Sequence, residues 1–248
     1  MAESLVIIPT YNEKENIERI LRKVFSLADG FHVLVIDDGS PDGTGDIVKR
    51  VQLEFPEQLF LVERKGKLGL GTAYITGFKW GLARNYSFIF EMDADFSHNP
   101  EDLAKLYHAA KDDHADLVIG SRYIKGVNVV NWPMSRVLLS YFASAYVRFV
   151  TGMPVQDSTA GFICYRDTVL KTIDLDRIHF VGYAFQIEMK FTAWKHNFQI
   201  KEVPVIFTDR SLGTSKMSGG IIREAVFGVL SLKLKSFFRK YPPAPQPL

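Results

Sequence analysis

Ser87-Phe88-Ile89-Phe90-Glu91-Met92-Asp93-Ala94-Asp95 joins strand character to paired acids. A short apolar run of strand character drives into two carboxylates spaced i, i+2. In an extended chain, residues two apart face the same way. Asp93 and Asp95 are therefore expected close together just past a strand's carboxyl end. In open α/β sheets that is where ligands bind. Two converging acidic oxygens suit a hard divalent cation, Mg²⁺ or Mn²⁺, with phosphate oxygens and water completing its shell. An isolated Asp-x-Asp equally describes a solvated turn, so the surrounding chain has to decide.

Upstream, Leu5-Val6-Ile7-Ile8 is expected to be a buried strand stopped by Pro9. Asn12 is a plausible helix cap, with Glu13, Glu15 and Glu18 in the early turns of a helix running to about Leu27. Val33 to Ile36 is a second strand, ending in the acidic, turn-rich Asp37-Asp38-Gly39-Ser40-Pro41-Asp42-Gly43-Thr44. A helix over about 46–54 and a strand over 59–62 follow. The glycine-rich Lys65 to Thr72 then opens a helix to about Arg84. It matches neither the Gly-x-Gly-x-x-Gly nor the Walker pattern, and its glycines serve either turns or backbone approach to a ligand. Downstream, Asn99-Pro100 marks a helix start, and 116–120 is another strand.

Alternating strands and helices predict an α/β fold, a mostly parallel central sheet flanked by helices. The second half changes character. Pro133 to about Thr151 is an aromatic-rich helix carrying Arg136 and Arg148. Asp157 to Phe162 is a loop before the strand 163–165, and 182–196 is a helix. The stretch 199–207 is a strand, and 209–216 a polar loop. Residues 219–240 form an amphipathic helix with Lys and Arg at its far end, before a Pro-rich tail at 241–248. The catalytic unit is expected to span 1–218, with 133–151 as an interface helix.

The chain has 248 residues, 47 % of them apolar, which is enough for a full core. A net charge of +2 gives no case for binding nucleic acid. Cys164 is the only cysteine, so neither an intrachain disulfide nor a cysteine zinc cluster can form, and a reducing, cytoplasmic setting fits. The first residues lack the basic and apolar regions of a signal peptide. No uncharged apolar stretch reaches the roughly 18 residues a spanning helix needs.

Taken together, Pro9-Thr10-Tyr11-Asn12-Glu13, Asp37 to Thr44, Leu68 to Ala73, Asp93-Ala94-Asp95, Gly120-Ser121-Arg122-Tyr123 and Asp209-Arg210 with Ser215-Lys216 resemble the inverting family-2 glycosyltransferases of the GT-A fold. Within these the chain is similar to dolichyl-phosphate mannose synthases and other polyprenyl-phosphate glycosyltransferases. The resemblance runs from Leu5 to about Phe238. It implies a nucleotide-sugar donor, GDP-mannose, whose base and ribose lie against Pro9, Tyr11, Glu13, Ile36 and Asp38. It implies that Asp93, Ala94, Asp95 and Arg122 meet the donor diphosphate, with Asp93 and Asp95 organising the metal. Some relatives carry Gln at the position of Ser97, leaving a third side-chain ligand open. Arg210 and Lys216 resemble the basic pair of a loop that closes over the diphosphate. The implied acceptor is a polyprenyl or dolichyl monophosphate, received by Arg122 and Arg136. Asp157 belongs to the site either as a base or as an organiser of the acceptor.

That acceptor places the enzyme at a membrane surface, peripherally on the cytoplasmic face, with a separate membrane-anchoring subunit left open. Two segments could make the contact: 137–143, and the apolar face of the C-terminal helix with Lys233, Lys235, Arg239 and Lys240 at its end. Covering the sheet or forming a dimer contact are the alternatives. Three other functions compete. A dinucleotide-dependent oxidoreductase fails on the glycine pattern. A non-catalytic nucleotide-sugar module would bind donor without turnover. A glucosyl transferase would keep the chemistry and change the sugar.

Overall fold

A computed structural model describes residues 3–182, 184–209 and 219–244, without the side chains of 219–225. In chain order the strands are β1 (Ser4–Thr10), β2 (His32–Asp37), β3 (Leu59–Glu63), β4 (Phe88–Glu91), β5 (Leu117–Ser121), β6 (Val129–Val130), β7 (Ile163–Arg166), β8 (Ile200–Pro204) and β9 (Phe207–Thr208). The helices are α1 (Ile17–Phe25), α2 (Thr44–Gln52), α3 (Leu70–Leu82), α4 (Asp102–Lys111), α5 (Met134–Thr151), α6 (Asp167–Thr172), α7 (Ala184–Lys195) and α8 (Gly219–Ser236). The main sheet runs β3-β2-β1-β4-β7-β5-β8, parallel except for β7, which is antiparallel to both its neighbours.

The continuous apolar runs of β1 and β2 are explained by burial on both faces. Leu5 and Ile7 point into one core with Tyr74 and Phe78 of α3 and Phe185 and Phe191 of α7. Val6 and Ile8 point into the other, with Ile20 and Val24 of α1, Val48 of α2 and Leu106 of α4. From β1 the chain winds outward to β2 and β3, then crosses back to β4 on β1's other side. The order reverses between β1 and β4, and the crevice past their carboxyl ends is the switch point where such sheets hold ligands.

Three local expectations are corrected. Pro9 does not stop β1; it pairs in register with Ile36, and the strand runs to Thr10. Ile7 O accepts Met92 N–H from the β4 side. Pro9 faces that same side, past the last β4 pair at Ile7–Glu91, so its missing N–H breaks no ladder bond. Asn12 does not cap α1, which begins at Ile17. Asn12 sits at φ 61°, and the acidic loop after β2 captures the local amides: Asn12 N–H donates to Ser40 Oγ, Glu13 N–H to Thr44 Oγ1 and Lys14 N–H to Asp42 Oδ2. The expected strand over 199–207 divides. β8 ends opposite Ser121, and β9 joins β6 in a separate two-stranded parallel pair.

The glycine-rich loop serves packing. A Cβ on Gly71 would lie 2.8 Å from both Phe180 O and the Phe185 ring, and Gly71 N–H donates to Val181 O. Gly69, at φ +101°, would put a Cβ 3.1 Å from Val181 O. Gly71→Ala gains at most about 1 kcal/mol of helix propensity, while overpacking costs roughly 1–3 kcal/mol. Because one of the clashing atoms is backbone, a net loss of about 1–2 kcal/mol is expected, read as a lower urea midpoint at unchanged slope.

Candidate active site

The carboxyl ends of β2, β1 and β4 lie side by side, since Thr10 pairs with Asp37 and Ile7 with Glu91. Asp37 is consumed by structure: it accepts from Thr10 Oγ1 (2.8 Å) and from Ser40 N–H (2.9 Å) and Oγ (2.6 Å). Asp38 Oδ1 accepts from Arg64 Nε at 2.6 Å, both side chains almost fully buried. Arg64 also donates to Thr72 Oγ1 (2.8 Å), fastening the glycine-rich loop to the β2 end. Pro9, Tyr11 and Glu13 are half-buried around this edge, and Lys67 Nζ stands 5.4 Å from the Tyr11 ring centre. Ile36 is wholly buried in the core. Its side chain shapes the floor rather than the surface.

Past β4 the backbone turns sharply, with Phe96 at φ 60°. Asp93 keeps 41 % of its side chain exposed, while Asp95 and Ala94 are buried. Asp95 Oδ1 accepts Ser97 N–H at 3.0 Å. Asp93 N–H donates to His98 Nδ1 at 3.1 Å, which leaves a neutral ring its proton on Nε2. Burial pushes the His98 pKa down to about 4, and its ring stacks on Phe162 at 4.8 Å. His98 thus pins the turn as a neutral acceptor. The Asp93 and Asp95 carboxylates are hard oxygen donors, the class Mg²⁺ and Mn²⁺ prefer. Among the described residues no third His, Cys, Asp or Glu joins them. The pair therefore fits an ion that takes the rest of its shell from substrate oxygens and water.

Opposite lies a fixed cation. Arg122 follows β5 and donates through Nε to Asp157 Oδ2 (2.7 Å) and through Nη2 to Asp157 Oδ1 (2.6 Å) and Thr159 Oγ1 (2.8 Å). Its backbone N–H adds a third bond to Asp157, at 2.9 Å. The rings of Tyr123, Trp132 and Phe207 surround its guanidinium at 5.4–5.6 Å. Arg136, in the first turn of α5, lies 4.1 Å over Trp132 and donates to Asp209 Oδ1 at 2.7 Å. Arg210 and Lys216 lie outside the described residues.

A cavity of about 380 Å³ joins these parts. Asp93, Ser97, His98, Arg122 and Arg136 line its polar end. Leu139, Phe142, Tyr146 and Val147 of α5, with Val226 and Val229 of α8, make the rest apolar. Asp93 of the expected metal pair and both expected acceptor arginines therefore reach one space, while Asp95 does not line it. Pro9, Tyr11, Glu13 and Asp38 border the crevice outside that cavity.

The family description "Glycosyl transferase family 2" matches residues 5–174. The chain belongs to that family. It is 50 % identical over 226 residues to a polyprenol monophosphomannose synthase of Mycolicibacterium smegmatis, covering 91 % of this chain and 85 % of that one. It is 48 % identical over 225 residues to an undecaprenyl-phosphate mannosyltransferase of Micrococcus luteus, covering 91 % of each. Among solved structures, a mannosyltransferase of Pyrobaculum calidifontis in complex with GDP-mannose and Mn²⁺ shares the fold at TM-score 0.62 and 20 % identity, over 98 % of this chain and 66 % of that one. A glucosyl-3-phosphoglycerate synthase of Mycobacterium tuberculosis does so at TM-score 0.69 and 17 % identity, over 94 % and 80 %. The architecture is the GT-A fold.

In this family-2 chain Asp157 is committed to Arg122. Its side chain is 0 % exposed and both its oxygens are held by Arg122. Burial alone would raise its pKa, but the charge and hydrogen bonds of Arg122 outweigh burial and hold it below the ordinary range. A carboxylate so placed is held in its charged form. Its pKa is depressed, so the pair stabilises the fold above the ordinary 3.8 and loses that contribution as pH falls through the folded value. Asp157→Asn should cost about 3–5 kcal/mol at neutral pH, as for breaking a buried pair. Urea titrations should show wild type and variant converging below about pH 4.

Proposed function

We propose that this protein transfers mannose, with inversion, from GDP-mannose to the phosphate of a polyprenyl monophosphate, releasing GDP. The single observation that carries this is the cavity, in which the Asp93 carboxylate and two arginines stand with an apolar trough. A polar head on a long hydrocarbon tail is the ligand shape that fits. The names of both half-identical relatives, each a polyprenyl-phosphate mannose transferase, favour mannosyl over glucosyl transfer.

The acceptor explains why a general base is dispensable. A phosphate monoester carries about −1.5 to −2 charges near neutral pH, its second pKa being about 6. The difficulty is bringing that anion to an anionic diphosphate. Arg122 and Arg136 answer it with fixed guanidinium donors at the polar end. A divalent ion, when bound, would stabilise the charge that grows on the leaving GDP. Asp93 and Asp95 would hold it, while Pro9, Tyr11, Glu13, Ile36 and Asp38 build the nucleotide edge. Arg210 and Lys216 are assigned to closure over the diphosphate by resemblance. Mass spectrometry of lipid extracted after incubation with a panel of nucleotide sugars, polyprenyl phosphates and Mg²⁺ or Mn²⁺ tests sugar and acceptor together. Donor binding without a glycosylated lipid would instead mark a non-catalytic module. Asp93→Asn and Asp95→Asn should each lower turnover by at least about a hundredfold, the scale of lost transition-state electrostatics. Near-normal rates in either variant, or in EDTA, would sink the metal assignment.

The trough opens between helices that suit a membrane surface on the cytoplasmic side. Among the described residues no helix is long and apolar enough to cross a bilayer. Yet only Ser144, Val147 and Thr151 of α5 are buried. Met134, Leu138, Phe142 and Phe149 stay exposed beside Phe227, Leu234 and Phe238 of the α8 region. Lys233, Lys235, Arg239 and Lys240 flank that apolar face, as an interfacial helix requires. Phe227→Asp with Phe238→Asp should weaken binding to anionic liposomes by at least about tenfold, while transfer to a short-chain acceptor in detergent continues. Unchanged liposome binding would argue for a covered protein contact instead.

A further inference from the structure

Lys190 of α7 is wholly buried and lies outside the lining of the cavity. Its ammonium donates to three backbone carbonyls: Ala160 O at 2.6 Å, Ser158 O at 3.1 Å and Gln186 O at 3.3 Å. Burying a charge is costly, and a methionine would fill similar space without that penalty. The cation earns its place through what it holds. Residues 158 and 160 alternate with Asp157, Thr159 and Gly161. Asp157 and Thr159 grip Arg122, and Gly161 walls the cavity. Asp157 N–H is anchored separately by Glu202 Oε1 at 2.9 Å. The loop is therefore held at its start by Glu202 and across its span by Lys190, with Arg122 docked on its other side.

We propose that Lys190 is a positioning residue for acceptor binding: by tying the carbonyls of Ser158 and Ala160 it fixes the loop that aims Arg122. This rests on the reading of Arg122 as a receiver of the lipid phosphate. Hydrogen bonds to buried carbonyls are expensive to leave unmade, so without the ammonium the loop relaxes and the guanidinium loses its fixed geometry. Burial, opposed by Glu91 and Asp157, lowers the Lys190 pKa to about 8, consistent with a strongly desolvated cation.

The test is a double-mutant cycle on the purified full chain with GDP-mannose, a metal and a polyprenyl phosphate in detergent. Lys190→Met is expected to lower kcat/KM for the lipid acceptor by at least tenfold, mostly through KM, and to leave the KM for GDP-mannose within twofold. In an Arg122→Ala background the same substitution should cost less than twofold further, because the residue it aims is gone. Lys190→Gln retains an N–H donor group and should show the same split more weakly; it serves should the methionine variant not fold. Equal losses for donor and acceptor, or full additivity with Arg122→Ala, would reduce Lys190 to a structural lysine and overturn the proposal. If wild type makes no mannosyl lipid, or Arg122→Ala leaves acceptor KM unchanged, the functional reading itself fails first and takes this inference with it.

Discussion

The Arg122–Asp157 pair is the interaction on which the site depends. Both side chains are nearly stripped of water, and a buried ion pair repays its desolvation only when geometry and extra hydrogen bonds are good. Here they are. The carboxylate takes three bonds from one residue, two from the guanidinium and one from the amide, while Thr159 adds another to the guanidinium. That arrangement locks the backbone after β5 to the loop before β7, two segments 35 residues apart in sequence. It also fixes where one positive charge can stand. Apolar replacement of such pairs often leaves a fold as stable, so this pair does more to place charge than to add stability.

The edge past β1 and β2 is assembled by the same device at smaller scale. The loop after β2 spends Ser40, Asp42 and Thr44 on the amides of residues 12–14, so the turn after β1 cannot proceed directly into helix. Arg64 closes the other side by joining Asp38 to Thr72. Side chains that a sequence motif offers as ligands are thus partly scaffolding. Asp37 is wholly committed to Thr10 and Ser40, whereas Tyr11 and Glu13 retain accessible surface.

Much of the architecture was legible because buried parallel strands leave unbroken apolar runs; β1, β2 and β4 stood out for that reason. The position of Asp93 and Asp95 just past the end of β4 was legible from the apolar run before them. What escaped was either short or tertiary. The six residues of α6 and the two-residue strands β6 and β9 carry no measurable periodicity. Arg64, His98, Trp132, Thr159 and Lys190 act through partners distant in sequence or through ring faces, and a linear reading has no access to such pairings. His98 left the clearest trace, three residues after Asp95, but only the structure shows it accepting the Asp93 amide. The role of Asp157 likewise needed its partner: sequence offers a carboxylate, and only the bidentate contact shows that it is spoken for.

Charge placement then gives the cavity both signs at its polar end: the Asp93 carboxylate, with Asp95 next to it in the turn, and the guanidinium groups of Arg122 and Arg136. Glu91 lies beneath, wholly buried between Tyr165 Oη at 3.0 Å and the Gln186 amide, with its pKa pushed up to about 8 by burial. Burial thus disfavours its charged form. Apolar side chains of α5 and α8 line the rest of the cavity, and a lower local dielectric strengthens the interactions of the charges beside them. Asp93, with 41 % of its side chain exposed, feels this least, whereas Arg122, only 9 % exposed, acts through a drier medium.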